Sequence, residues 1–300
     1  MRAKIYGFVA FFLLVILPGV SAQTDSSKIK AAKIEQSLHY QTGNITFRSC
    51  NATLSVPAGF KYLDAKQSNF VLHELWGNPS DSTILGMLVP ANQGVLEANG
   101  WAYTISFENM GYVKDDDAAD IDYKELLTSM QKDAQDSNEL RTKQGYPTIA
   151  LLGWAATPHY DKDKKVLYWA KELRFGKDSV TTLNYNLRIL GKDGVFVLNA
   201  VATMHELKDV SQSIDQVLAS IKFGKGSTYA DFKPGVDKVA EWTIGGLVAG
   251  TILAKTGFFV MIAKFAKIII IALIAAGTGI WKFITGKKNK EEKKNDIAGE

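Results

Sequence analysis

Residues 148–204 read "TIALLGWAATPHYDKDKKVLYWAKELRFGKDSVTTLNYNLRILGKDGVFVLNAVATM". Four runs rich in β-branched and aromatic residues, "TIALLGWAATP", "VLYWAKELRF", "TTLNYNLRIL" and "GVFVLNAVATM", are separated by charged or glycine-bearing turns. That composition at that spacing predicts consecutive strands, with Asp161–Lys165 and Gly191–Gly194 as hairpin connections. Strands follow strands here without the intervening helices that a parallel, doubly wound sheet requires. The stretch therefore sets the class: antiparallel sheet.

Outward from this stretch the pattern persists. "NITFRSCNATLSVP" predicts two short strands around a turn, and "TILGMLVP" and "WAYTISFENMGYV" predict two more. "QSNFVLHELWGNP" reads as a helix stopped by Gly77, Asn78 and Pro79. On the far side, Leu207, Val210, Ile214, Val217, Leu218 and Ile221 recur at helical spacing and lead into a short "IKF" strand. The expected fold is α+β, antiparallel sheet with packed helices, and its order of strands is similar in outline to a Mog1/PsbP-like sandwich.

Between the two sets of strands lies "GYVKDDDAADIDYKELL", residues 111–127, with five aspartates in a short span. Asp122 and Glu125 stand at capping-box spacing, and Ile121 and Leu126 at the N′ and N4 positions of a hydrophobic staple, so the second half is a helix start. Asp120 lies near the positive end of that helix. Asp115, Asp116 and Asp117 have no local structural role, and surface solvation or ion pairs to Arg141 or Arg188 are the expected use. The competing reading is a metal-dependent or carboxylate-based hydrolase built on these three. It lacks the glycine and distal glutamate of a calcium loop.

Other catalytic signatures are missing. His39, His73, His159 and His205 stand apart, no paired Cys/His spacing exists, and no nucleophile elbow, P-loop or dinucleotide fingerprint occurs. No cofactor is expected and no metal ligand set is assigned. Cys50 is the only cysteine, so no intrachain disulfide forms. Trp76, Trp101, Trp154 and Trp169 are expected to fill the core. The alternative is an aromatic-lined cleft with Tyr160, Asn184 and Arg188 as its polar groups. The candidate binding residues are thus Tyr112, Asp115, Asp116, Asp117, Arg141, Trp154, Tyr160, Asn184 and Arg188.

The two ends differ in character from the middle. The net charge of +4 comes from them: residues 1–22 carry two basic groups and no acid, residues 242–300 carry nine lysines against four acids, and 24 basic against 27 acidic groups lie between. This distribution argues for membrane topology and against nucleic-acid binding. Residues 1–22 have the basic start, apolar run and small-residue end of a secretory signal peptide. Residues 23–43 read as a polar linker and residues 44–233 as the exported domain. The run at 242–263 is apolar but contains Lys255, which costs about 2.5–3.5 kcal/mol at mid-membrane, so it lies in the interface or spans at a penalty. Residues 265–284 suffice for a transmembrane helix, since roughly 20 residues cross the hydrocarbon core. The lysine-rich tail 285–300 is expected in the cytoplasm, which with an exported start means a single crossing. Gly246 and Gly250 form a GxxxG, through which a homo-oligomer is the alternative use of the run.

"WGNP", "GYVKDDDA", the spacing Asn138-x-x-Arg141-x-x-x-Gly145-Tyr146-Pro147, "GWAATPHYD", "WAKEL", "NYNLRILG" and "YADF" together resemble the bacterial family called domain of unknown function 2167, from about Gly43 to Trp281. The resemblance implies a membrane-anchored protein of the bacterial envelope and transfers no activity. The expectation is a non-enzymatic binding or scaffold module in the cytoplasmic (inner) membrane, facing the periplasm. Its partners would be the lipid bilayer and an envelope protein or small ligand.

Overall fold

A computed structural model of the chain describes residues 25–250 except 77, 79–80, 98–99 and 144–146. The expected signal peptide, the turn residues Gly77 and Pro79, the span at 265–284 and the lysine-rich tail lie outside the described residues.

Strands come first because the alternation demands them. In order, the elements are α1 (Asp25–Ser37), β1 (Asn44–Phe47), β2 (Ala52–Ser55), β3 (Phe60–Asp64), α2 (Ala65–Asn69, continued by a π-helical turn Phe70–Leu75), β4 (Ile84–Pro90) and β5 (Ala102–Glu108). Then follow α3 (Tyr123–Lys143), β6 (Ile149–Asp161), β7 (Val166–Phe175), β8 (Thr182–Leu190), β9 (Val195–Thr203), α4 (Leu207–Ser220), β10 (Ile221–Phe223) and α5 (Ile244–Ala249). Seven strands form one sheet in the order β3-β4-β5-β9-β8-β7-β6, and β1-β2-β10 form a second. All pairings within both are antiparallel. The fold is α+β, and each of the four runs in residues 148–204 is a strand of the large sheet.

The large sheet has two unlike faces. On the first, Tyr103 and Ile105 of β5, Leu183, Tyr185 and Leu187 of β8, and Phe196, Leu198 and Ala200 of β9 alternate inward into one apolar core. The small sheet and the apolar stripe of α4 (Val210, Ile214, Val217) close over it. Burying each large side chain here contributes about 1.5–3 kcal/mol before chain entropy is counted. Thr203 and Glu206 complete a capping box just ahead of α4, which fixes where that helix turns back onto the sheet.

The second face is divided. At one end α2 packs Val71 and Leu72 against Leu63, Met87 and Val89. At the other, α3 lays Leu127, Met130 and Ala134 on Ile149, Leu151, Leu173 and Phe175. α3 also covers the exposed edge of β6. The Asn138 amide donates to Ile149 O (2.9 Å) and accepts from Ile149 N (2.7 Å), and Arg141 Nε donates to Pro147 O (2.9 Å). A side chain thereby pairs an edge strand that would otherwise recruit another chain. This accounts for the Asn138–Arg141–Pro147 spacing.

Both domain boundaries differ from the sequence reading. Leu38, assigned to a linker, is buried with Leu63 and Val71. Glu35 accepts from Tyr40 Oη (2.5 Å) and from Val95 N (3.0 Å), and Gln41 exchanges two backbone bonds with Tyr62. At the other end the domain runs past residue 233. Ile244, Leu247 and Val248 are buried against Val113, Leu126, Trp169 and Val197. The start of the run assigned to interface or membrane thus packs on the protein's own sheet, where apolar surface was already waiting.

Candidate functional site

The nine candidate residues fall into two clusters and three singletons. The first cluster is a clasp between the 111–118 loop and the strap that follows β10. Gly111 has φ 98°, and a Cβ there would sit 2.7 Å from Lys238 O, so only glycine lets the strap approach. Tyr112 N donates to Lys238 O (2.8 Å) and Ala240 N to Tyr112 O (2.9 Å). The Tyr112 ring stacks on Phe232 (3.8 Å between centroids) and packs on Tyr229 (4.3 Å).

Asp115 is the hub. Its Oδ2 accepts from Tyr160 Oη and Lys165 Nζ, both at 2.8 Å, and Tyr229 Oη lies 3.1 Å from Oδ1 and 2.9 Å from Val113 O. Lys165 Nζ also stands 4.7 Å over the Tyr229 ring. Burial pulls the Asp115 carboxyl pKa upward, but the bonds from Lys165, Tyr160 and Tyr229 and the Lys165 charge outweigh it and hold it below the ordinary value. Burial, then the bond to Asp115, pushes the Tyr160 phenol up, so it stays a protonated donor.

Asp117 turns the other way. Its two carboxylate oxygens accept from Ile244 N (3.1 Å) and Gly245 N (3.0 Å), and Thr243 Oγ1 accepts from Gly246 N (3.2 Å). These are the unpaired amides that begin α5. Asp116 is exposed. The three acids therefore point to three destinations. The ion partner is Lys165, which corrects the expectation of Arg141 or Arg188. Asp122 behaves as its spacing predicts, accepting from Lys124 N (2.9 Å) and Glu125 N (3.0 Å).

Trp154 and Arg141 join neither cluster. Trp154 Nε1 donates to Tyr123 O (3.1 Å) and pins β6 to the start of α3. Trp101 and Trp169 are buried, and Trp76 donates to Val95 O (2.9 Å). Cys50 is a buried thiol pushed up to about 11 by desolvation, which leaves it unreactive at neutral pH. A cleft of about 250 Å³ beside it is lined by Arg48, Asn51, Asn109 and Asp193, and Asp193 O accepts from Gly111 N (2.9 Å) at the start of the clasp loop. Among the described residues no three His, Cys, Asp or Glu side chains come together to hold a metal.

The second cluster holds Asn184 and Arg188. It is the middle of the sheet's second face, where β5 presents Thr104 and Ser106, β8 Asn184, Asn186 and Arg188, and β9 Asn199. Thr104, Ser106, Asn186 and Asn199 are buried. Arg188 Nη1 donates to Leu187 O (2.9 Å) and Asn199 Oδ1 (3.3 Å), and its guanidinium carbon lies 4.9 Å from the Trp169 ring centre. Asn186 Nδ2 donates to Asn184 Oδ1 (2.9 Å). Lys171 pairs in register with Asn184 on the same face. Burial, then the Arg188 charge, lowers Lys171 to about 8, and burial lowers Arg188 to about 10. Burial raises the Glu108 carboxyl, with the Arg188 charge opposing. The reading of the residues one by one missed Asn186, Asn199 and Lys171; the period-two alternation of β8 and β9 places the two asparagines on the Arg188 face.

The profile of a family described as "Protein of unknown function (DUF2167)" matches residues 39–278. The chain belongs to that family. No curated protein matches the sequence. Among solved structures, the cyanobacterial PsbP (CyanoP) of Synechocystis sp. is 10% identical, over 62% of this chain and 92% of its own, at a TM-score of 0.36. The Ran-binding protein Mog1p of Saccharomyces cerevisiae is 11% identical, over 62% and 96%, at 0.33. LpqN, involved in cell envelope biogenesis of Mycobacterium tuberculosis, is 14% identical, over 66% and 96%, at 0.31. Likenesses this distant say nothing of activity.

Proposed function

We propose that this member of the DUF2167 family is a tethered, non-enzymatic binding module of the bacterial envelope. The α+β domain faces the periplasm, residues 265–284 cross the cytoplasmic membrane once, and the lysine-rich tail lies in the cytoplasm. The observation that carries the reading is the clasp. Asp115, Asp117 and Tyr112 bind the strap that leads directly into the apolar run. A domain on a free linker would need none of these bonds, whereas a domain held in one pose above a bilayer needs them at this place. Among the described residues no helix is long and apolar enough to cross a membrane, so the anchor rests on residues 265–284.

The hydrolase reading needs Asp115, Asp116 and Asp117 to converge, and their divergence leaves it without support. Reporter fusions test the topology. A reporter active only outside the cytoplasm is expected to work after Lys255, and one active only inside after Lys288. The opposite result at Lys288 overturns the single crossing.

A further inference from the structure

We propose that the polar strip around Arg188 and Trp169 binds an oxyanion, the carboxylate or phosphate group of a small ligand. The inference does not rest on the tether reading, although Trp169 also packs against Ile244, Leu247 and Val248 of α5.

The strip has more donors than its own acceptors use. A guanidinium carries five N–H donors. Arg188 spends Nη1 on Leu187 O and Asn199 Oδ1, and its Nε and Nη2 make no hydrogen bond to any described residue. The Nε–Nη2 edge is a planar fork that matches the two oxygens of a carboxylate or phosphate. Trp169, 1% exposed, holds its indole N–H buried with no acceptor among the described residues. A buried, unanswered donor costs about 1–3 kcal/mol, a cost that a bound acceptor would remove. The Arg188 guanidinium lies over the Trp169 ring, 4.9 Å from its centre, so the two groups are neighbours on this face.

The surroundings favour an anion over a neutral guest. Lys171 adds a second cation to the face, within reach of the Arg188 charge. Arg188's own bonds run to no carboxylate, and the Glu108 carboxylate acts on it through charge without a hydrogen bond. Asn184, Lys171 and Arg188 are half-buried rather than sealed. The neighbouring polar stretches are already accounted for by packing: Asn138 and Arg141 hold β6, and Asp115 and Asp117 hold the strap.

The test uses the full chain in detergent, with thermal unfolding followed against inorganic phosphate, acetate or chloride at equal ionic strength. Phosphate or acetate is expected to raise Tm above chloride, because a ligand that binds only the folded state stabilises it. A response to phosphate alone assigns a phosphate-bearing ligand, and one to acetate alone a carboxylate. Arg188→Gln is expected to abolish the response. Trp169→Phe, which removes the N–H and keeps the aromatic body, is expected to weaken it about tenfold, the worth of one hydrogen bond to a charged group. Without anion, Trp169→Phe is expected to match or exceed the wild-type Tm. No response beyond chloride, or an undiminished one in Arg188→Gln, overturns the proposal. If Arg188→Gln does not fold, an undiminished response in Trp169→Phe overturns it. The fusion results are independent, so either proposal can fail alone.

Discussion

The clasp and the polar strip are made from the same kinds of side chain and follow opposite rules. At the clasp, the Asp115 carboxylate faces three donors and Asp117 faces two amides. On the strip, Arg188 keeps one edge of its guanidinium, and Trp169 its N–H, without an acceptor among the described residues. Satisfied polar groups hold structure together, and unsatisfied ones are tolerated where something else is to be held. The presence of charge does not separate the two regions. What separates them is whether donors and acceptors balance.

Substitutions can break that comparison. The largest effect is expected at the hub: Asp115→Asn leaves Lys165 without its counter-ion. It should cost about 1–3 kcal/mol by urea unfolding of the full chain, toward the low end because both groups keep some contact with solvent. Arg188→Met should cost less, because the half-buried guanidinium gives up two bonds to neutral oxygens while the packing of its stem is kept. The expected change is within about 1 kcal/mol. A loss as large as that of Asp115→Asn would make the strip structural and erase the distinction.

Asp117→Ala removes a helix cap and should cost about 0.5–2 kcal/mol, felt first in the strap. Asp116→Ala touches only solvent and should stay within about 0.5 kcal/mol. Acid sharpens the contrast further. A carboxyl whose folded pKa lies below its ordinary value of 3.8 contributes stability at higher pH and loses it as pH falls through the folded value. Asp115→Asn should therefore flatten the acid limb of the stability curve, while the Arg188 variant should keep it.

Much of this was legible in the chain, and the rest fails for one reason. The strands of residues 148–204 and α4 announce themselves by period, and Asp122 caps α3 from three residues away. Asp115 finds its partners 45, 50 and 114 residues along, and Asp117 binds amides 127 and 128 residues away. No local pattern encodes such a meeting. The same holds for Glu35, whose partner Val95 N lies 60 residues on and turns an apparent linker into part of the domain. Arg188 and Asn184 were readable as one face of a strand. Their acceptor deficit was not, because it depends on what β9 and β7 bring beside them.

The central claim is that Asp115 and Asp117 hold the strap against the domain. Amide hydrogen exchange of the full chain, wild type beside Asp117→Ala, tests it most directly. Protected amides at Ile244 and Gly245 are predicted in the wild type, with fast exchange there in the variant and β8 and β9 unchanged. Fast exchange at both positions in the wild type, or protection that survives Asp117→Ala, would contradict the account.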